Sequence, residues 1–224
     1  MNKGKLIALE GIDGVGKGTQ LNLITKKFDE VSIPYKVVAF PRYDKPSSYF
    51  IKQYLSLDHP YGTPDEIGPY RASLFYALDR YDASFELRDY LDQGFVVIAD
   101  RYIGSNVGHQ GGKIETDKER KIFTDWLFDL EFNRMGIPKP AVNIVLSVPF
   151  EIAVSRIKSR GRSKDAHESD LSHLKKAQDA YIWAAKTYPK DFVEVQCCDV
   201  SRELNEAEVC ARVWEVIEDT LKSN

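Results

Sequence analysis

The stretch that most limits what this chain can fold into is Glu10-Gly11-Ile12-Asp13-Gly14-Val15-Gly16-Lys17-Gly18-Thr19-Gln20. It follows the apolar run Leu6-Ile7-Ala8-Leu9, which suits one buried strand, and it precedes Leu21, Ile24 and Phe28 at helical spacing. A strand that runs through glycines and a lysine into a helix can close its backbone N–H groups around an anion. Gly11, Gly14 and Gly16 permit the curl, while Val15, Gly18 and Thr19 supply further N–H groups. The helix start adds partial positive charge, and Lys17 can reach the outer phosphates of a nucleotide. The spacing from Gly11 to Gly16-Lys17 fits G-x-x-x-x-G-K, a phosphate-binding P-loop over about residues 10–20. Gly18 stands where Ser or Thr usually offers a magnesium ligand, so the nearest hydroxyl is that of Thr19.

The remainder alternates regularly. Apolar runs at 36–40, 95–99, 142–148 and 192–197 read as four more strands. Helical patterns are expected over 49–55, 70–92, 116–135, 150–159, 168–187 and 203–221, with a connecting loop at 57–69. Within 70–92, Leu74, Leu78, Tyr81, Phe85 and Leu91 recur near helical spacing, and Ile122, Trp126, Leu127 and Leu130 are expected inward on the next helix. Gly104, Gly108, Gly111 and Gly112 are read as a permissive stretch. This alternation predicts one α/β domain over residues 1–224, a five-stranded parallel sheet between two helical layers. A net charge of -3 gives no overall pull toward nucleic acid or an anionic membrane. No apolar run reaches membrane-spanning length, and the N-terminus lacks the apolar core of a signal peptide. Cys197, Cys198 and Cys210 form no C-x-x-C and are read as reduced thiols of a cytoplasmic protein.

In such sheets ligands sit beyond the carboxyl ends of the strands. Arg42 follows the second strand there, and Asp100-Arg101 follows the third. A carboxylate at that place can hold magnesium or orient Lys17. Two arginines nearby suit a second phosphorylated ligand, since a guanidinium fork matches phosphate geometry.

These residues resemble the thymidylate kinases, within the nucleoside monophosphate kinases and the three-layer P-loop NTPase fold. The resemblance spans almost the whole chain. It rests on the glycine loop, on Phe40-Pro41-Arg42, and on Leu74-Phe75-Tyr76-Ala77-Leu78-Asp79-Arg80. Further matches are Asp100-Arg101-Tyr102-Ile103-Gly104-Ser105-Asn106 with His109-Gln110, Gly136-Ile137-Pro138-Lys139-Pro140, and Arg160-Gly161-Arg162 onward. It implies ATP-dependent phosphorylation of dTMP to dTDP with Mg2+, held by Thr19 and Asp100 directly or through water. Lys17, Asp100 and Arg101 would be catalytic. Asp13 would hold the 3′-hydroxyl, Arg42 and Arg101 the acceptor phosphate, and Phe40 and Pro41 the thymine pocket. Tyr76 would stack on the base and Arg80 donate to a base carbonyl, with Asn106 and Gln110 near the base edge or sugar. His109 stands where the family often has Tyr, and Tyr76 where it usually has Phe; these departures motivate a broader acceptor range including dUMP or dGMP. No arginine lies inside the glycine loop, so the resemblance points to a lid over about 158–170, with Arg160 and Arg162 as catalytic candidates and Arg156 a lesser one. A homodimer is implied as well. A nucleotide switch is the competing reading, but the guanine-reading N-K-x-D run is absent from the sequence.

Overall fold

Apolar runs become strands, and their order in the sheet decides which loops meet. The computed structural model describes residues 3–56, 58, 60–159, 171–199 and 202–223. Arg160 and Arg162, with most of the expected lid, lie outside the described residues. Strands β1 (Leu6–Glu10), β2 (Tyr35–Ala39), β3 (Val96–Asp100), β4 (Val142–Ser147) and β5 (Phe192–Gln196) form one sheet in the order β2-β3-β1-β4-β5. All four pairings are parallel. The central strands β1 and β4 are buried throughout, as covered parallel strands must be. Register aligns the strand ends that matter: Ala39 lies opposite Asp100, and Leu9 opposite Asp100 from the other side. The glycine loop, Arg42 and Arg101 therefore leave the sheet at one edge.

Helices α1 (Lys17–Glu30), α2 (Tyr49–Leu55), α3 (Pro64–Asp92), α4 (Ile103–His109), α5 (Asp117–Phe128), α6 (Phe150–Ser159), α7 (Leu171–Thr187) and α8 (Glu206–Lys222) surround it. On α1, Ile24 and Phe28 turn to the core, and Phe28 meets Trp214 of α8 edge-on at 5.0 Å. Helix α5 passes into a wider π turn over Asp129–Arg134, so the helix expected over 116–135 is not one regular element. None of the described helices is long and apolar enough to cross a membrane.

Three expectations are corrected. Helix α3 begins within the expected loop, because Thr63 and Glu66 form a reciprocal capping box and Gly68, at φ 74°, marks a kink before Pro69 resumes the helix. The stretch 103–109 is a helix rather than a glycine-rich loop. At Gly104 the missing side chain serves close approach, since a Cβ there would lie 2.8 Å from the Glu10 carboxylate. On α3, Leu74, Leu78, Tyr81 and Phe85 face outward at 39%, 44%, 40% and 56% exposure, while Ala72, Ala77, Ala83 and Leu87 are buried. The third correction is Ile122 on α5, expected inward but exposed, although Leu127 is buried as expected.

Candidate active site

The glycine loop holds its shape by backbone alone. Gly14 has φ +85°, and a Cβ there would come 2.4 Å from the Ala153 carbonyl oxygen, so only glycine fits. Gly16 is the N-cap of α1, and no side chain caps that helix. The first N–H groups of α1 are thus left for an anion. Lys17 is buried; its Nζ donates to the carbonyls of Gly11 at 2.9 Å and Ile12 at 3.0 Å and lies 3.6 Å from Asp13 Oδ1. Burial, with the nearby Arg101 charge, pushes the Lys17 ammonium down to about 8, against the pull of Asp13 and Asp100. A polyanion arriving at the loop would reverse that depression.

Arg101 closes the other side. Its φ of 66° puts a non-glycine residue in the left-handed region, a conformation that persists where surroundings hold it and that clusters at functional sites. That turn sends the side chain back over the loop, where Nη2 donates to Asp13 Oδ1 at 2.6 Å and Nη1 to the Gly11 carbonyl at 3.2 Å. Burial alone would raise the Asp13 carboxyl, but Arg101, Lys17 and His109 outweigh it and hold the group well below the usual carboxylate range. Burial also works against the Arg101 charge, and Asp13 with its neighbours more than restores it.

Beneath Arg101 lies Glu10, fully buried. Its carboxylate accepts from the Tyr102 N–H at 2.7 Å, the Ser105 hydroxyl at 2.8 Å and the Tyr181 hydroxyl at 3.1 Å. Burial raises this carboxyl, while Ser105, Arg101 and Tyr102 oppose the rise. Glu10 fastens the start of α4 and the middle of α7 to the end of β1. Asp100 Oδ1 is buried with no hydrogen-bond partner among the described residues, an orphan acceptor beside the loop.

Arg42 is held from α3. Its backbone N–H and Nε donate to Asp79 at 2.8 and 3.1 Å, Nη2 donates to Ser47 Oγ and the Asp79 carbonyl at 3.0 Å each, and Asp82 pairs with it as well. The Phe40–Pro41 bond is cis. Phe40 is buried edge-on against Tyr102, with the Arg42 guanidinium over its ring at 6.0 Å from the centroid. Tyr76 is half-buried and edge-on to Tyr54. Asn106 donates to the Ser73 carbonyl at 3.2 Å, and Gln110 exchanges long contacts with the Tyr54 hydroxyl. Arg80 meets an arrangement its expected base contact did not include. It is 2% exposed, Nε and Nη2 donate to both oxygens of the buried Glu131 at 2.7 and 2.6 Å, and Nη1 reaches the Tyr102 carbonyl.

Behind the loop, Val15, Gly16, Thr19, Gln20, Arg156, Cys197, Leu204, Glu206 and Val209 line a cavity of about 210 Å³. Arg156, the lesser of the three lid candidates, donates to the Gly14 carbonyl at 3.2 Å and to Glu203 at 2.7 Å, which sets it against the loop. Burial pushes the Cys197 thiol up to about 11, which makes it an inert wall. The structure thus gathers Lys17, Asp13, Asp100, Arg101 and His109 around the loop, with Arg42 held by α3. Sequence reasoning missed Glu10, Asp79, Glu131 and His173. Only Glu10 carried a signal, being an acidic residue at the end of an otherwise apolar strand.

A parallel sheet with an anion-binding glycine loop at its central strand, a lysine inside that loop and an arginine-bearing strand end beside it defines a P-loop phosphotransferase. Comparison with known proteins narrows the class. The thymidylate kinase family model matches residues 9–208, and the chain belongs to that family. The thymidylate kinase of Mycobacterium tuberculosis is 31% identical over 173 residues, covering 74% of this chain and 78% of that one. That of Caldicellulosiruptor saccharolyticus is 29% identical over 221 residues, covering 98% of each. The solved structure of the Candida albicans thymidylate kinase superposes with a TM-score of 0.72 at 23% identity over 98% of this chain and 93% of that one, a likeness of fold.

Proposed function

We propose that this chain transfers the γ-phosphoryl group of ATP to dTMP, giving dTDP and ADP. The observation that carries the reading is Arg101, whose left-handed backbone lays a guanidinium across the mouth of the anion loop. The donor triphosphate would lie in the glycine loop formed by Gly11, Gly14, Val15, Gly16, Gly18 and Thr19, with its base in the cavity flanked by Arg156. The acceptor monophosphate would face Arg101 and Arg42. Its own oxygen is already an anionic nucleophile, so no general base is required. The new P–O bond forms in line as the bond from the γ-phosphorus to ADP breaks. Lys17 and Arg101 then balance charge on the transferring group, and Asp13 holds both cations and the sugar hydroxyl in place. Phe40, Pro41 and Tyr76 would wall the base, and Asn106, His109 and Gln110 frame the sugar and base edge. Arg160 and Arg162 remain the lid candidates.

The residues fit a magnesium ion. Asp100 offers a buried oxygen with no hydrogen-bond partner among the described residues and Thr19 a half-buried hydroxyl, while no group of three or more His, Cys, Asp or Glu that could hold a metal occurs among those residues. One or two protein ligands, with phosphates and water completing the shell, is how magnesium is usually held beside a nucleotide. When bound, the ion would neutralise phosphate charge. Three free thiols agree with a cytoplasmic setting.

Measuring ADP release with dTMP, dUMP, dGMP and UMP under identical conditions tests the reading. We expect dTMP to be preferred and turnover to depend on an acceptor; equal use of UMP would defeat deoxyribose selection, and ATP hydrolysis just as fast without acceptor would defeat the kinase.

We further infer a homodimer through α3. Leu74, Leu78, Tyr81 and Phe85 recur at intervals of 4, 3 and 4 and stand exposed along one stripe, the pattern of a helix seam awaiting an apolar partner. In light scattering at micromolar concentration the parent should run as a dimer and Leu78→Glu/Phe85→Glu as a monomer. A monomeric parent would remove the interface.

A further inference from the structure

Arg101 is gripped by Asp13 on one side and by an imidazole on the other, and that imidazole has a partner of its own. His109, at the end of α4, places Nε2 3.3 Å from Arg101 Nη1 and Nδ1 3.4 Å from Nε2 of His173 on α7. The two rings stack with centroids 5.6 Å apart, and His173 is buried.

Chemistry gives this chain a direction. A guanidinium can only donate, so His109 Nε2 carries the lone pair facing Arg101. The His109 proton then sits on Nδ1 and is donated to the lone pair on His173 Nε2. The order runs from Arg101 to His109 to His173, and it exists only while both rings are neutral. A proton added to His109 sets N–H against the N–H of Arg101. A proton added to His173 Nε2 faces the His109 Nδ1–H, and shifting that hydrogen to Nε2 aims it at Arg101. Other groups converge here. Asp13 attracts charge on His109, Lys17 beyond it opposes that, and Tyr181 of α7 packs edge-on at 6.0 Å. Ser105, on the Arg101 side, links through its hydroxyl to Glu10.

We infer that His173 is a positioning residue of the acceptor site: it fixes the His109 tautomer and, through it, the direction in which Arg101 presents its guanidinium. The inference rests on the reading of Arg101 as the acceptor-phosphate arginine. A neutral imidazole accepts from Nη1 alone, so it fixes the direction of the fork while other guanidinium N–H groups stay available to the ligand. Through His109, a residue of α7 thereby enters the acceptor site.

Two measurements test it. Long-range ¹⁵N–¹H correlation spectra at pH 8 report the tautomers, with the proton expected on Nδ1 of His109. Steady-state kinetics of the parent, His173→Phe and His173→Gln from pH 5.5 to 8.5 report the consequence. At pH 8, His173→Phe should raise the KM for dTMP about fivefold, the size of one lost hydrogen bond, with kcat and the KM for ATP within about twofold of the parent. His173→Gln, whose side-chain oxygen accepts from Nδ1–H, should restore the parent value. The parent's advantage over His173→Phe should vanish by about pH 5.5, below the ordinary imidazole range. The second ionisation of the acceptor phosphate falls in the same pH range but acts equally on all three proteins, so the difference between their profiles is what is read. A His109 proton on Nε2, or a His173→Phe profile identical to the parent's, overturns the inference. Should the parent fail to phosphorylate dTMP, the assignment of function falls, and the tautomer spectra still decide the relay.

Discussion

Arg101→Ala is expected to lower kcat/KM by about a thousandfold on every nucleoside monophosphate the parent accepts, the scale on which preorganised charge stabilises a transferring phosphoryl group. The contacts of Arg101 with His109 and Ser105 vanish, and the losses go further. Asp13 loses its 2.6 Å partner, the Gly11 carbonyl loses a donor at the neck of the loop, and the acceptor phosphate faces Asp13 without a counter-charge. The loss should fall on kcat as well as on the acceptor KM, because Arg101 also shields Asp13 from the donor phosphates. Left-handed backbone at position 101 costs alanine what it costs arginine, so the fold should survive. Arg101→Lys should recover little, since a point charge cannot span Asp13 and a phosphate at once. Stopped-flow or coupled assays of ADP release with dTMP and dUMP would read the effect. Unchanged turnover would remove Arg101 from the phosphate site.

The second large effect is on stability. Arg80→Ala should destabilise the protein by about 3–5 kcal/mol, because it strands the Glu131 carboxylate at 0% exposure with its bidentate partner gone. In a chain of this size that lowers Tm by roughly 10 °C. Arg80→Met/Glu131→Leu, which removes both charges, should regain most of the loss. The same double variant separates packing from recognition. If Arg80 also reads the base, stability returns while the KM for dTMP stays high. If its fork serves only Glu131, both recover. Calorimetry and acceptor kinetics on the two variants decide between them, and a Tm within a degree or two of the parent for Arg80→Ala would sink the ion-pair argument.

What could be read in advance was local. The glycine loop declares itself because every requirement of an anion cradle is met within eleven successive residues: permissive backbone, a lysine, and a helix start. The central strands were equally plain, since a strand covered on both faces is apolar throughout. Arg42 and Arg101 could be placed at the ligand edge because strand ends in a parallel sheet all point one way. Their partners could not. Asp79 lies 37 residues from Arg42, and Glu131 lies 51 from Arg80, with no periodicity linking either pair. Helix α3 shows the limit most sharply. Its spacing revealed a stripe but not which way it faces, and small residues such as Ala72, Ala77 and Ala83 took the inner side.

Local residue pattern was enough to specify an α/β sheet with an anion-binding loop at its heart and two arginines at the matching edge. Those features follow from backbone sterics and hydrophobic periodicity, which act over neighbouring residues. The folded core settled the rest: Asp13 between Lys17 and Arg101, Asp79 behind Arg42, Arg80 sealed against Glu131, and two histidines 64 residues apart in the chain brought into contact. Each is a charged or polar group taken from water, and such a group must find its counterpart wherever packing puts one. That choice is made by the whole fold, because only the folded core excludes the solvent that would otherwise satisfy it.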